Sequence, residues 1–379
     1  MNGALSGVKV LNMAWMLPGP YCAMILADMG ADVVNLERPG VGDASRLVPG
    51  FYEGFNRNKK SITVNISSEK GREICYRLAK WADVVTEGFR PGVAARLGLD
   101  YESLSRVNPR IIYVSILAYG QDGPYRNWSS HAISNEGIAG YLANQTSPGK
   151  ADFSVPLVAL GDVSSSLFAS TGILGALYSR EKTGKGQYID IAMTDCLVSF
   201  MSLPLSQYLN CGECGVSVDP AYGIFPTKDN KFITLSIFYE DHFWRNLCGV
   251  IGRNDLAKLT SRERQEKVEE LRNILIGAIL TRDRDEWIKL LAEADVAFGP
   301  VYDVPEVARD PQLQHRNMFL KVKAGERDFT VVGNPIKLSE TPCDVRMPPP
   351  ALGEHTSEIL RDLGYAKDEI SEMKTSGIV

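Results

Sequence analysis

Along the first hundred residues, short runs rich in β-branched and apolar side chains alternate with helical stretches. The run at 8–13 is followed by Pro18-Gly19-Pro20, a helical pattern over 21–29 and a second apolar run at 32–36. The same succession recurs with runs at 61–65 and 83–87 on either side of a helical pattern at 68–80, and again at 111–116. Strand–helix–strand repetition of this kind builds parallel strands covered by helices, so the fold class is α/β with a doubly wound, Rossmann-like large domain.

A helix is predicted to begin at Asp162 and run to about 181, because Val163, Leu167, Leu174 and Tyr178 recur on one face and Thr183-Gly184-Lys185-Gly186 ends the pattern. The apolar, strand-like residues 156–160 precede it and a strand at 188–193 follows. Beyond residue 200 the pattern changes to short strands (232–238) and charged amphipathic helices (262–280 and 284–292), the mark of a smaller α+β domain. Met347-Pro348-Pro349-Pro350 is a stiff lead into a last helix near 354–363. The expected division is therefore a large domain over 1–200, a small one over 201–335 and a C-terminal segment over 336–379.

Composition narrows the function classes. A formal charge of -5 over 379 residues leaves no basic stripe, which argues against nucleic acid or an anionic membrane surface as the main partner. The seven cysteines (Cys22, Cys75, Cys196, Cys211, Cys214, Cys248, Cys343) are odd in number and scattered, which fits a reducing cytoplasm. Only Lys9 precedes the apolar run at 10–17, and Pro18 interrupts that run before it reaches signal or membrane length, so neither secretion nor a membrane span is expected.

Several common chemistries lack their anchors. The first strand leads into Met16-Leu17-Pro18-Gly19-Pro20 in place of a Gly-x-Gly-x-x-Gly turn, although Glu37 stands where a ribose-binding acid often does. The Walker loop and the Gly-x-Ser-x-Gly elbow are absent, and Cys211-x-x-Cys214 has no second ligand pair, so no metal site is expected. Arg38, Arg46, Arg57, Lys59, Lys60, Arg90 and Arg96 lie mostly just after predicted strands, either as solvated surface charges or as the border of a ligand crevice. Asp162 reads as a helix N-cap worth about 1 kcal/mol. The same position also keeps a carboxylate ionised for nucleophilic attack.

Taken together, these residues resemble the class III coenzyme A transferases, the crotonobetainyl-carnitine and bile-acid-inducible type that includes formyl-CoA transferase and α-methylacyl-CoA racemase. The resemblance rests on Leu5-Ser6-Gly7-Val8-Lys9-Val10-Leu11, Gly19-Pro20, Ala27-Asp28-Met29-Gly30-Ala31-Asp32-Val33, Glu37-Arg38-Pro39-Gly40 and Asn58-Lys59-Lys60-Ser61. It continues through Glu87-Gly88-Phe89-Arg90-Pro91-Gly92, Gly161-Asp162, Thr183-Gly184-Lys185-Gly186-Gln187 with Asp190, and Pro350-Ala351-Leu352-Gly353-Glu354-His355.

What the resemblance implies is an interlocked homodimer whose C-terminal segment returns to the large domain, and CoA transfer between an acyl-CoA and a carboxylic acid through an aspartyl-CoA thioester on Asp162. CoA is a substrate held by Met16, Leu17, Arg38, Lys60, Gly88, Phe89 and Arg96, and no cofactor is bound permanently. Backbone N–H groups of the Ser164–Ser166 stretch are the expected oxyanion donors. Leu17 replaces the glutamine and Gly88 the asparagine of formyl-CoA transferase, and its glycine-rich lid has no counterpart, which points away from formyl or oxalyl groups.

Two alternatives stand beside this one. In a 2-methylacyl-CoA racemase, His131 and Asp162 are opposed bases and Glu240 a supporting glutamate, although Ala132 and the serines after Asp162 depart from that pattern. The other is a non-catalytic subunit of a heteromeric transferase. Specificity is expected in the loops at 129–150 and 205–225, with Tyr141, Phe225, Tyr239 and Trp244 as pocket walls or core.

Overall fold

The computed structural model describes residues 3–145, 156–212, 219–324 and 327–379. Strands β1 (Lys9–Asn12), β2 (Asp32–Glu37), β3 (Lys59–Thr63), β4 (Val84–Glu87), β5 (Ile112–Leu117) and β6 (Gln187–Ala192) form one parallel sheet in the order β3-β2-β1-β4-β5-β6. The middle strands are apolar on both faces because both faces are covered. Val10, Val33, Val84, Ile112 and Val114 pack under helices Pro18–Asp28 and Leu160–Thr183. Leu11, Val34, Val85 and Tyr113 face the opposite way, under helices Glu69–Trp81, Tyr101–Val107, Thr356–Asp362 and Lys367–Thr375.

The chain divides into two compact units, Met1–Leu203 with Asn317–Val379, and Pro204–Arg316. The sequence drew the small domain on to 335, but the hairpin of β10 (Phe319–Ala324) and β11 (Arg327–Val332) groups with the larger unit. One tie is the buried ion pair of Arg57 with Asp28 at 2.6 Å, whose guanidinium also donates to the Val332 carbonyl. Residues after the hairpin run along β3, the edge of the sheet: His355 N–H donates to the Ser61 carbonyl, and Thr356 Oγ1 accepts the Thr63 N–H. Exposed donors and acceptors of an edge strand are thereby paired.

In the smaller unit β7 (Tyr222–Pro226), β8 (Phe232–Ser236) and β9 (Phe298–Val301) form an antiparallel sheet. It packs on helices Asp241–Val250, Val268–Ile279 and Arg284–Glu293. Phe225 and Trp244 are fully buried in this core, whereas Tyr239 is exposed. The helix expected over 262–280 is two helices, Ser261–Glu266 and Val268–Ile279, because Lys267 leaves helical geometry (φ -122°, ψ 29°). Arg264 holds the first of them through Asp219 and Asp241, both at 2.7 Å.

Other boundaries shift. The strand expected at 61–65 lies at Lys59–Thr63, the last predicted helix is Thr356–Asp362, and a further helix, Lys367–Thr375, follows it. Residues 156–159 are not a strand, and Leu160 already begins the long helix. At 24 residues, that helix is long and apolar enough to cross a bilayer, yet Ala169, Ile173, Ala176 and Leu177 bury one side of it against the sheet.

Candidate active site

After β3 the chain crosses to the other side of β1 and lays down β4, so the carboxyl ends of β1 and β4 diverge into a crevice, the usual ligand position in an open parallel sheet. Met13–Pro18 after β1, Gly88–Pro91 after β4 and Leu117–Gly120 at the end of β5 line a cleft of about 930 Å³. Trp128–Ala132, Ala159 and Asp162 complete its wall.

The loop after β1 is held from beneath. Met16 adopts a left-handed backbone (φ 67°), and both carboxylate oxygens of Asp43 accept its N–H, at 3.0 and 3.1 Å. Glu37 in turn accepts the Asp43 N–H at 3.0 Å. It also takes a two-pronged pair from Arg46, both arms at 2.7 Å, and a hydrogen bond from Ser61 Oγ. A buried carboxylate so fully engaged is a framework group, and the ribose-binding position of Glu37 is filled by protein. Gly19 is required here, because any Cβ would run into the side chain of Ala14.

The loop after β4 is fixed by Glu87, which accepts the Phe89 N–H at 2.6 Å and the Ser115 hydroxyl. Burial pushes its carboxyl up to about 7, against the pull of these hydrogen bonds.

Asp162 sits in the first turn of helix Leu160–Thr183, two residues beyond its first residue; the N-cap itself is Ala159, which has no capping side chain. The cap reading of Asp162 is thus corrected: the side chain is free to face the cleft. Burial raises its carboxyl to about 6, with the Glu136 charge adding to the rise and His131 opposing it. The helix terminus does not overcome desolvation, but a carboxyl at about 6 is still mostly ionised at pH 7. Glu136 is 1% exposed, and its Oε1 accepts the Leu160 N–H at 2.8 Å.

The serines that follow are not free donors. In a helix their N–H groups bond the carbonyls four residues back. Their hydroxyls return to Gly161 and Asp162 carbonyls, with Ser166 also reaching Pro18. The first-turn N–H groups of Gly161 and Asp162, by contrast, are ones that helical geometry leaves without an intrahelical partner.

Of the residues singled out by sequence, Met16, Leu17, Gly88, Phe89, His131 and Asp162 share the cleft. Arg38 and Arg96 are exposed and not among its lining. Lys60 pairs with Glu358 at 2.6 Å and lines a separate cavity of about 370 Å³ with Trp81 and Arg346. Glu240 lies in the smaller unit, where it accepts the Phe238 and Tyr239 N–H groups, the first of which chiefly lowers its pKa. Arg46, Arg57 and Lys59 are neither crevice border nor solvated charge but internal ties; burial drops the Lys59 amine to about 7, and it donates to the Pro20 and Phe55 carbonyls. Sequence reasoning missed Glu136, Asp43, Arg126 and Trp128. Of the lone Cys-x-x-Cys, Cys214 lies outside the described residues. Among the described residues no group of three His, Cys, Asp or Glu side chains is arranged to hold a metal.

Comparison with known proteins places this geometry in a family. The model of CoA-transferase family III matches residues 5–356. The chain is similar to the formyl-CoA:oxalate CoA-transferase of Shigella sonnei (31% identical, 99% of each chain) and the succinate–glutarate CoA-transferase of Agrobacterium fabrum (31%, 95% of each). It also resembles the crystal structure of a CAIB/BAIF family protein from Brucella suis, with a TM-score of 0.85 and 30% identity over 96% of this chain and all of that one. A cleft at the strand ends, an aspartate in its wall and this similarity from end to end have one reading: the chain belongs to CoA-transferase family III.

Proposed function

We propose that the protein is an acyl-CoA:carboxylate CoA-transferase that passes through an aspartyl-CoA thioester on Asp162. The observation that carries this reading is a part-buried carboxylate in the first turn of a helix, in the wall of a cleft, with a pKa near 6 that leaves it ionised at neutral pH. An Asp162 oxygen attacks the donor thioester carbonyl, the carbon–sulfur bond breaks, and CoA thiolate departs from a mixed anhydride. The thiolate then attacks the aspartyl carbonyl, and the donor acid leaves as a carboxylate. The acceptor carboxylate attacks the aspartyl thioester, and the released thiolate takes the new acyl group and frees Asp162.

An anhydride lies above a thioester in energy, so the nucleotide and pantetheine of CoA, remote from the reacting carbon, supply the binding that offsets the difference. Met16, Leu17, Gly88 and Phe89 hold the thiol end in the cleft, and Arg38, Lys60 and Arg96 the anionic parts. The names of the relatives support carboxylic acids as acceptors, and the loss of the formyl-type glutamine and asparagine at Leu17 and Gly88 supports a different acyl group. The strand order supports a Rossmann-like larger unit. We read the protein as cytoplasmic and its working form as an interlocked homodimer, the latter supported by Leu167, Phe168, Val198 and Phe200, exposed apolar side chains for a second copy to cover.

Hydroxylamine trapping during turnover, followed by peptide mass mapping, tests the assignment. Label at position 162, with no transfer by Asp162→Ala that still binds CoA, is the expected result; label elsewhere with an active Asp162→Ala refutes it. One observation favours the racemase reading: His131 lines the same cleft as Asp162. Exchange of the α-hydrogen of a 2-methylacyl-CoA in deuterated water, without any acceptor acid, distinguishes the two.

A further inference from the structure

The helix that carries Asp162 starts without a cap of its own. Its N-cap residue is Ala159, and the first turn presents N–H groups that need acceptors. The acceptor comes from another helix: Glu136, on Ala132–Ile138, takes the Leu160 N–H at 2.8 Å. Glu136 is buried to 1% exposure, and the adjoining Asn135 is fully buried, with its side chain receiving the Ser130 hydroxyl at 2.7 Å. Contact between the two helices is close at this end. A Cβ on Gly161 would meet Leu197 Cδ1 at 3.3 Å and Asn135 Cβ at 3.7 Å.

We infer that Glu136 is a positioning residue for Asp162: its carboxylate caps the catalytic helix from outside and, by its charge, adds to burial in narrowing from the acid side the pH range over which Asp162 is a nucleophile. The proposal rests on the reading of Asp162 as acyl carrier.

The charged and titratable surroundings support it. On the helices packed against Ala132–Ile138 are Asp162, Asp195 and Cys196 and the nearby Tyr141; on the elements packed against the Asp162 helix are Tyr21, Cys22, Asp28, Tyr113, Tyr188 and Asp190. None of these neighbours acts on Asp162; beside burial itself, the two groups that do are Glu136, which raises its pKa, and His131, which lowers it. A neutral side chain of the same shape removes the first influence and leaves the cap in place, since an amide oxygen still accepts the Leu160 N–H.

The test is the pH dependence of kcat/KM between pH 5 and 9 for the wild type, Glu136→Gln and Glu136→Ala, with Asp162→Ala alongside. Glu136→Gln is expected to fold normally and to move the acid limb to lower pH. Glu136→Ala is expected to lose about tenfold or more in kcat with little change in the KM for the acyl-CoA, as a misplaced nucleophile does. An acid limb unmoved in Glu136→Gln overturns the proposal, and that profile decides the matter even where Glu136→Ala fails to fold. Transfer by Asp162→Ala instead overturns the reading of Asp162 itself, so the two failures are distinguishable.

Discussion

Both carboxylate oxygens of Asp43 accept the backbone N–H of Met16, while Met16 holds a left-handed backbone at the floor of the cleft. Asp43 also accepts the Ser45 N–H at 2.8 Å, so one buried side chain ties the turn after β2 to the loop after β1. A left-handed conformation costs a non-glycine residue about 1 kcal/mol, which these hydrogen bonds offset.

Asp43→Ala is therefore expected to lower stability by roughly 1–3 kcal/mol and to raise the KM for CoA substrates more than it lowers kcat. Adding Met16→Gly to that variant should recover part of the stability but not the KM, because glycine adopts a positive φ without strain yet removes a side chain that holds the thiol end of CoA. Thermal denaturation and steady-state kinetics on the two variants check this. A KM unchanged in Asp43→Ala would detach the Met16 loop from CoA binding.

Asp162 is predicted to link activity and stability in opposite directions. As a nucleophile it must be ionised, so kcat/KM should fall about tenfold per pH unit below its pKa of about 6. Folding raises that pKa from an ordinary value of 3.8, so the folded state holds the proton more tightly than the unfolded chain. The stability gained from protonation is fully present below about 3.8 and is lost as pH rises through 6. Asp162→Asn removes the buried charge, and at pH 8 the inactive variant should be more stable than the wild type by about 1–3 kcal/mol, with the difference vanishing near pH 4. Urea titrations at the two pH values measure it, and equal stability at pH 8 would contradict the burial of this carboxylate.

The parts of this design that sequence made legible are those set by local pattern. Strand runs such as Val10-Leu11 and Val84-Val85 are apolar because both faces of the sheet are covered, and Gly184 at φ 71° ends the long helix where the Thr-Gly-Lys-Gly stretch said it would. Asp162 was visible because it belongs to a short motif at a helix start. Glu136 was not, since its partner lies 24 residues away and nothing in its own neighbourhood marks it. Arg57 and Lys59 misled for the same reason: a basic residue before or on a strand looks like a crevice charge until the carboxylate or carbonyl facing it is known. The split at Lys267 was hidden by continuous amphipathic spacing on both sides of it.

The ion pair of Arg57 and Asp28 should carry much of the stability of the larger unit's outer layer. The two side chains are 1% and 2% exposed, and the Asp28 carboxylate also accepts Asn58 Nδ2 and Asn334 Nδ2. Asn58 in turn receives the Arg346 and Met347 N–H groups, so the pair lies beneath both the β10–β11 hairpin and the segment that follows it. Arg57→Met strands a buried carboxylate and is expected to cost about 3–5 kcal/mol, whereas Asp28→Asn with Arg57→Met removes both charges and should cost clearly less than the sum of the two single changes, Arg57→Met and Asp28→Asn. Chemical denaturation of the four proteins closes the cycle. Additive losses would mean that the pair contributes no coupling and that the hairpin is held by its apolar contacts alone.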